Sequence, residues 1–365
     1  MTFYIFSKPK VQEYPLIISI SNAASRLQYN VKIITQNIDE KLKDTLAKRG
    51  ISVVSQSNPE RQNVFLKLIH WFKFGRFAKK AYFSTHPEDI IWVTGADTAI
   101  CLGIKTLTKR RFIFQINELY DKNPVYLRFI RKIAAVSATN VVPEKNRASI
   151  FRAWFNLAEK PFVLPNYTYI DDSIIEDGIK YCENYLDRIA EEKKQGKYIL
   201  LYQGLLRPDR DFSKVLETAE QRSNTVIVIM GCDCGMIKQY RKICPKLIYI
   251  PPIPSPYHLS VTKAADVGLA VYLPDSLNNT YCAPNKIWEY SKYGLAILGN
   301  NVPGLDVVSE RGIGRQANID DYDDISKQLD IIFECLDNFK TKSRHFYEEL
   351  DFCGEFAKIL QNSQK

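Results

Sequence analysis

YILLYQG at 198–204, running straight into LLRPDRD at 205–211, is the stretch that decides how this chain folds. An almost unbroken apolar run that ends in glycine describes a strand covered on both faces, followed by a tight turn. The same figure returns at TVIVIMG 225–231, LIYIPP 247–252, VGLAVY 267–272 and LAILGN 295–300, with helix-prone stretches at 211–222, 256–264, 284–293 and 323–337. Alternation of such strands with helices predicts a parallel sheet wound with helices. Towards the N-terminus the pattern repeats, with strands expected at 2–6, 31–35, 51–54, 90–93, 111–115 and 139–142 and helices such as 15–28 and 125–136. VLPNY at 163–167 closes this half, and the charged segment 171–197 forms the crossing into the next.

A chain of 365 residues exceeds one ordinary hydrophobic core, so two α/β domains are expected, doubly wound, Rossmann-like and facing across a cleft. Their expected bounds are 1–168 and 169–345, with a helix in 346–365 packing back on the first. Hydrophobic residues at 45% and charged residues at 25% fit a folded protein without a long disordered region.

MTFYIFSKPK at the N-terminus ends basic where a secretory signal begins basic, so it reads as a first strand. No run of about 18 apolar residues free of charge predicts a membrane-spanning helix. The expected location is cytoplasmic, with peripheral contact at the cytoplasmic face of a membrane as an extension. Eight scattered cysteines show no zinc-ligand spacing, so reduced thiols mostly in the core are expected and no metal site. A net charge of +9 suggests an anionic partner without naming it, and no nucleic-acid-binding motif accompanies it. The basic and aromatic segment 65–83 carries Lys67, Lys73, Arg76, Lys79 and Lys80 among Trp71, Phe72, Phe74 and Phe77, with no acid. It suits either an anionic membrane interface or a partly buried helix with solvated lysines, its apolar residues spreading nearly all round the wheel.

Ligands of wound sheets bind beyond the carboxyl ends of the strands, so the loops of the second series are the place to look. Gly204 with Arg207 and Arg210 enters a helix, an arrangement that suits a diphosphate; the alternative is a surface loop whose arginines pair with Asp209 and Asp211. Pro284 is placed for a helix's first turn, and Asn285, Lys286 and Glu289 follow on it. Lys286 suits a phosphate and Glu289 ribose hydroxyls; the alternative is an intrahelical Lys–Glu pair. Pro303 and Gly304 lie in a turn beyond a buried strand, and Gly312 and Gly314 read as further turn chemistry. Asn117 and Glu118 sit just past an N-terminal strand, as acceptor-side contacts or as caps.

The order of these pieces resembles the GT-B glycosyltransferases, in particular the large group 1 family of retaining enzymes that use nucleotide sugars. YQGLLRPDRDF at 202–212, APNKIWEYSKYGLAILG at 283–299 and PGL at 303–305 carry the resemblance, with NELYD at 117–121, VVPEKNRASIF at 141–151 and VLPNY at 163–167 in support. The resemblance implies that Arg210 and Lys286 hold the donor diphosphate, that Glu289 binds the ribose, and that these three are the catalytic set. It further implies that Gly204, Arg207, Asn285, Pro303 and Gly304 complete the donor pocket, that no metal is needed, and that a UDP- or GDP-linked sugar is the substrate, with no separate cofactor. Sugar transfer with retention to a glycan or lipid-linked acceptor, in cell-surface polysaccharide biosynthesis, is the implied function. A non-catalytic nucleotide-binding scaffold and a nucleotide-sugar epimerase are the alternatives. Three positions depart from the family pattern: Tyr281 stands for a first glutamate, Leu205 for an arginine and Asn117 for a histidine.

Overall fold

The computed structural model describes residues 1–56, 64–169, 172–176 and 178–364. The side chains of 64–68, Lys67 among them, and residues 171 and 177 of the expected crossing segment lie outside that description. The chain divides into one compact unit of Met1–Tyr169 with Asp351–Lys365 and another of Ile170–Leu350.

In the first unit β1 (Thr2–Ser7), β2 (Asn30–Thr35), β3 (Ser52–Ser55), β4 (Ile90–Thr94), β5 (Ile113–Gln115), β6 (Thr139–Val142) and β7 (Phe162–Val163) form a sheet of order β3-β2-β1-β4-β5-β6-β7. Every pairing is parallel, with Phe3 opposite Val31 on one side and Ile90 on the other. Helices α1 (Pro15–Arg26), α2 (Glu40–Lys48), α3 (Val64–Phe83), α4 (Gly95–Leu102), α5 (Ile104–Leu107), α6 (Pro124–Ala134) and α7 (Lys145–Phe155) make the crossovers. The strand order reverses direction after β3, so right-handed crossovers place α1 and α2 on one face and α3, α4 and α6 on the other. Alternate residues of β1 agree: Phe6 meets Tyr82 of α3, ring centroids 5.6 Å apart, while Phe3 meets Phe356 of the C-terminal helix Phe352–Gln364 at 5.5 Å. Trp92 also packs on Phe356, at 5.6 Å.

The second unit builds β8 (Tyr198–Gln203), β9 (Thr225–Met230), β10 (Ile248–Ile250), β11 (Val267–Ala270), β12 (Ala296–Asn300) and β13 (Gly314–Ala317) into a parallel sheet of order β10-β9-β8-β11-β12-β13. Around it run α8 (Asp172–Glu176), α9 (Glu183–Lys194), α10 (Ser213–Glu220), α11 (Ile237–Ile243), α12 (Leu259–Ala264), α13 (Leu277–Thr280), α14 (Asn285–Lys292), α15 (Asp306–Glu310), α16 (Tyr322–Glu334) and α17 (Leu336–Glu348). The central strand splits its side chains between two cores, Leu200 and Tyr202 into one, Ile199 and Leu201 into the other. This is why the sequence reads as unbroken apolar runs instead of alternation. Gly314, expected in a turn, instead opens β13, pairing with Ile297 of β12. A Cβ there would collide with the Ile297 backbone, so the glycine serves close strand approach.

At the amino end of this sheet sits buried Asp266. Its Oδ2 accepts a hydrogen bond from the Ile199 amide at 3.0 Å, and its Oδ1 meets Lys193 at 3.0 Å and Lys340 at 2.9 Å. One carboxylate thus ties α9 and α17 to the start of β8.

The cysteines divide differently from the expectation of a mostly core location. Cys101, Cys182, Cys244 and Cys282 are buried, Cys232, Cys234 and Cys335 are exposed, and Cys353 is half-buried. Cys232 and Cys234 lie in the loop after β9, where surface turn residues are the rule.

Candidate donor site

The carboxyl ends of β8, β9, β11 and β12 bring together residues that sequence spacing leaves 100 positions apart, Gly204 with Gly304 at the extremes. β8 gives way to Gly204, whose φ of +132° is open to glycine and strained for any other residue. The ladder then continues irregularly into the next loop: Leu206 N donates to Cys232 O at 2.9 Å, and Cys234 N to Leu206 O at 3.1 Å. Gly231, at φ +146°, lies so close to Gly204 that any Cβ would collide with the Gly204 carbonyl.

The turn Pro208–Arg210 separates the two arginines. Arg207 stays exposed and its Nε pairs with Asp209 Oδ1 at 3.2 Å, as the surface-loop alternative has it. Arg210 does not pair with Asp211. That carboxylate accepts bonds from Ser213 N at 3.0 Å and Tyr240 OH at 3.1 Å, starting α10. The Arg210 guanidinium turns inward and lies 4.8 Å from the ring centre of Tyr272, at the end of β11, with its Nε buried and without a hydrogen-bond partner.

Lys286 occupies the second position of α14 and is 6% exposed. Its Nζ stands 4.1 Å from the ring centre of Tyr202 and 5.6 Å from that of Tyr272, against the Gly204 turn, and has no hydrogen-bond partner. The expected alternative of a Lys–Glu pair along the helix is not realised: Glu289 turns to other partners. Buried itself, its Oε2 accepts from Gln203 Nε2 and lies 3.5 Å from His258 Nε2. Gln203 is in turn fixed by Thr262, whose hydroxyl donates to Gln203 Oε1 at 2.7 Å. One position on, the Tyr290 hydroxyl reaches the backbone of Gln203, Leu201 and Leu269, anchoring α14 to the sheet.

An ammonium group buried among aromatic rings, without an acceptor, is costly in its charged form. Burial first and the neighbouring Arg210 charge second push Lys286 down to about 7, against a smaller upward pull from Glu289. A phosphate-bearing ligand placed against Nζ would restore the ammonium form. Binding between pH 8 and 9 is therefore expected to take up close to one proton, and affinity to fall as pH rises above about 7. Calorimetric titration with UDP in two buffers of different ionisation enthalpy measures that uptake; equal heats in both would assign Lys286 no change of charge.

Asn285 begins α14 and is half-buried, behind the cap Pro284. Pro303 is exposed, whereas Gly304 is buried flush against the Cys282 backbone, where any Cβ would collide. The turn at 303–305 therefore braces the segment leading into α14. Gln203, Tyr202, Tyr272, Thr262 and His258 escape motif reading, although Tyr202 and Gln203 stand directly before Gly204 in the quoted strand.

Asn117 and Glu118 belong to the first unit, whereas the cluster around Lys286 belongs to the second. Asn117 is buried, its Oδ1 accepting from Gln115 Nε2 at 2.7 Å, while Gln115 Oε1 accepts from Trp92 Nε1 at 2.8 Å. Arg147 donates to the Asn117 carbonyl and pairs with Glu118 at 3.6 Å.

No family profile and no curated protein sequence matches the chain. Solved structures do. HepE of Anabaena, in complex with UDP and glucose, superposes with a TM-score of 0.71 at 12% identity, over 100% of this chain and 99% of that one. Sucrose-phosphate synthase of Thermosynechococcus elongatus gives 0.69 at 13% identity, over 100% and 98%. The α,α-trehalose-phosphate synthase (UDP-forming) of Burkholderia vietnamiensis gives 0.69 at 10% identity, over 100% of both chains. The chain has the GT-B fold, α/β with parallel sheets of seven and six strands among the described residues.

Proposed function

We propose that the chain is a glycosyltransferase that moves a sugar, with retention and without a metal, from a UDP- or GDP-linked donor to a glycan or lipid-linked acceptor in cell-surface polysaccharide synthesis. The observation that carries this reading is the unpartnered Lys286 Nζ, buried beside Arg210 at the carboxyl end of the second sheet. The Lys286 amine and the Arg210 Nε, both buried there without a hydrogen-bond partner, are preorganised for the charge that a leaving nucleoside diphosphate develops. Arg210 offers a forked donor face and Lys286 a point charge. Glu289, oriented by Gln203 and Thr262, is placed to accept from the ribose hydroxyls. Asn285 and the first amides of α14 add donors at a helix N-terminus, and Gly204 lets backbone approach the phosphates. Similarity to structures solved with UDP and glucose supports a UDP-linked donor.

The test is a thermal-shift series with UDP, GDP, ADP, CMP and dTDP on the parent chain and on Arg210→Ala and Glu289→Ala. One diphosphate is expected to raise Tm by binding the folded state, and each variant to bind it about tenfold or more weakly, a charged hydrogen bond being worth about 1.5–3 kcal/mol. Parent-like binding by both variants would move the site elsewhere. A scaffold without turnover is the second reading, favoured by Tyr281 in the place of a family glutamate and by Asn117 being held inside the Trp92–Gln115 network. Nucleotide binding with no transfer across a broad acceptor panel would select it. Location at the cytoplasmic face of a membrane, through the segment 65–83, completes the proposal; among the described residues no helix is long and apolar enough to cross one.

A further inference from the structure

The helix α6 satisfies its core side with Ile130, Ile133 and Ala134 and yet carries a second apolar set on its outer side. Val125, Arg128, Phe129 and Lys132 recur at helical spacing on that outer face, Val136 follows in the turn just past its end, and all are exposed, Val125 by 64% and Phe129 by 51%. Exposed aromatic and aliphatic groups in a row with cations are the composition of an interfacial helix. α3 repeats the device two helices away in the same layer: it buries Phe74, Ala78 and Tyr82 and turns Phe72, Arg76, Lys80 and Phe83 outward. Between them α5 exposes Ile104 and Lys105. Acids are missing from this layer for long stretches: the sequence has none from 98 to 117 and none from 122 to 142. An apolar patch alone would fit many partners, but a cationic field interleaved with it, in which Asp97 of α4 is already taken up by Lys8 and the Tyr126 hydroxyl, fits one class of surface, apolar beneath a layer of negative charge.

We propose that the outer face of α6, continued by α5 and the outer face of α3, docks on the surface of an anionic phospholipid bilayer. This deepens the peripheral-membrane part of the proposed function and rests on no feature of the donor site. It also moves the centre of the contact from the segment 65–83 to α6. Phe129 and Val125 enter the headgroup boundary, and Arg128 and Lys132 stay at the phosphates, their stems covering the apolar floor.

The experiment is co-sedimentation of the whole chain with phosphatidylcholine vesicles and with vesicles containing about 30 mol % phosphatidylglycerol, at low and high salt. Binding is expected only to the anionic vesicles and to weaken with salt. The double variant R128Q/K132Q is expected to bind about 30-fold less tightly, each basic residue near an anionic surface contributing about fivefold. K41Q/K48Q, the same charge change on α2 of the opposite layer, should bind like the parent. Phe129→Trp reports insertion: its added fluorescence is expected to shift to the blue with anionic vesicles, which a merely electrostatic contact would not produce. Absence of vesicle binding at low salt, parent-like binding by R128Q/K132Q, an unshifted emission from the F129W variant, or binding to DNA without binding to vesicles would each overturn the proposal. The UDP thermal shift, recorded on the same preparations, keeps its failure separate from failure of the donor-site reading.

Discussion

Lys286→Met is expected to abolish most of the nucleotide affinity and, at the same time, to make the protein more stable. Removing the cation costs a charge-assisted bond to the diphosphate, and a loss of about 10- to 100-fold follows from about 1.5–3 kcal/mol. In the free protein the same ammonium is a liability, buried and without an acceptor beside the Arg210 charge. Methionine fills a similar volume against Tyr202 and Tyr272 with nothing to desolvate. A gain of about 1 kcal/mol, roughly 2–4 °C in Tm, is a reasonable size for that relief. The pH dependence separates this cause from better packing. Lys286 releases its proton in the folded chain near pH 7 and in the unfolded chain only near 10.5, so between these values the unfolded chain binds more protons. Stability of the parent therefore rises with pH across that window, and the Met variant should lack this component. Urea melts of both proteins at about pH 6.5, 8 and 9.5 read the difference directly. Parallel curves would show that Lys286 carries its charge as freely as a surface lysine.

Asp266→Ala should do the reverse, leaving nucleotide binding intact and destabilising the second unit by about 3 kcal/mol. Removing one member of a buried ion pair leaves the others uncompensated, typically at about 3–5 kcal/mol. The lower end applies because Lys193 and Lys340 remain 39% and 27% exposed and can turn to water. The Ile199 amide, however, loses its acceptor in the interior. Bonds from Lys340 and that amide, with the Lys193 charge, outweigh burial and hold the Asp266 carboxyl below its usual range. Its stabilisation is present above about pH 4 and fades as pH falls through the folded-state value, so the parent and the variant should converge in acid. Equilibrium urea unfolding over about pH 3–7 checks this, and a variant as stable as the parent at neutral pH would make the cluster decorative.

These two residues also show where sequence reading reached its end. Strand runs such as YILLYQG and TVIVIMG fall within a residue of β8 and β9, because strands buried on both faces cannot hide their composition. The helix after Pro284 and the turn at Gly204 were equally legible, since proline and glycine mark backbone geometry directly. β13 was not: GRQA is short, polar and at the sheet edge, with two glycines around Ile313 that resemble a turn. At the site, spacing put Lys286 and Glu289 on one helical face and suggested a pair. Only the packing of Tyr202 and Tyr272 on one side and of Gln203 and His258 on the other shows them separated. Residue type alone leaves Arg210 and Arg207 equivalent, only the family resemblance favouring Arg210, and the turn Pro208–Arg210 sends Arg207 to solvent and Arg210 inward. Contacts between residues 86 apart, as from Gln203 to Glu289, carry no local signal at all.

The first unit is written in two pieces, and this orders the birth of the molecule on the ribosome. Phe356 is the lid on Phe3 and Trp92, yet it is translated after the whole of the second unit. Usually the N-terminal domain folds first during synthesis. Here the later, uninterrupted unit can finish while the earlier one still shows an open aromatic seam, waiting for residues 352–364 to emerge. At the roughly 5–20 residues per second typical of translation, that seam stays uncovered for about ten seconds or longer, a window in which a chaperone has something definite to hold.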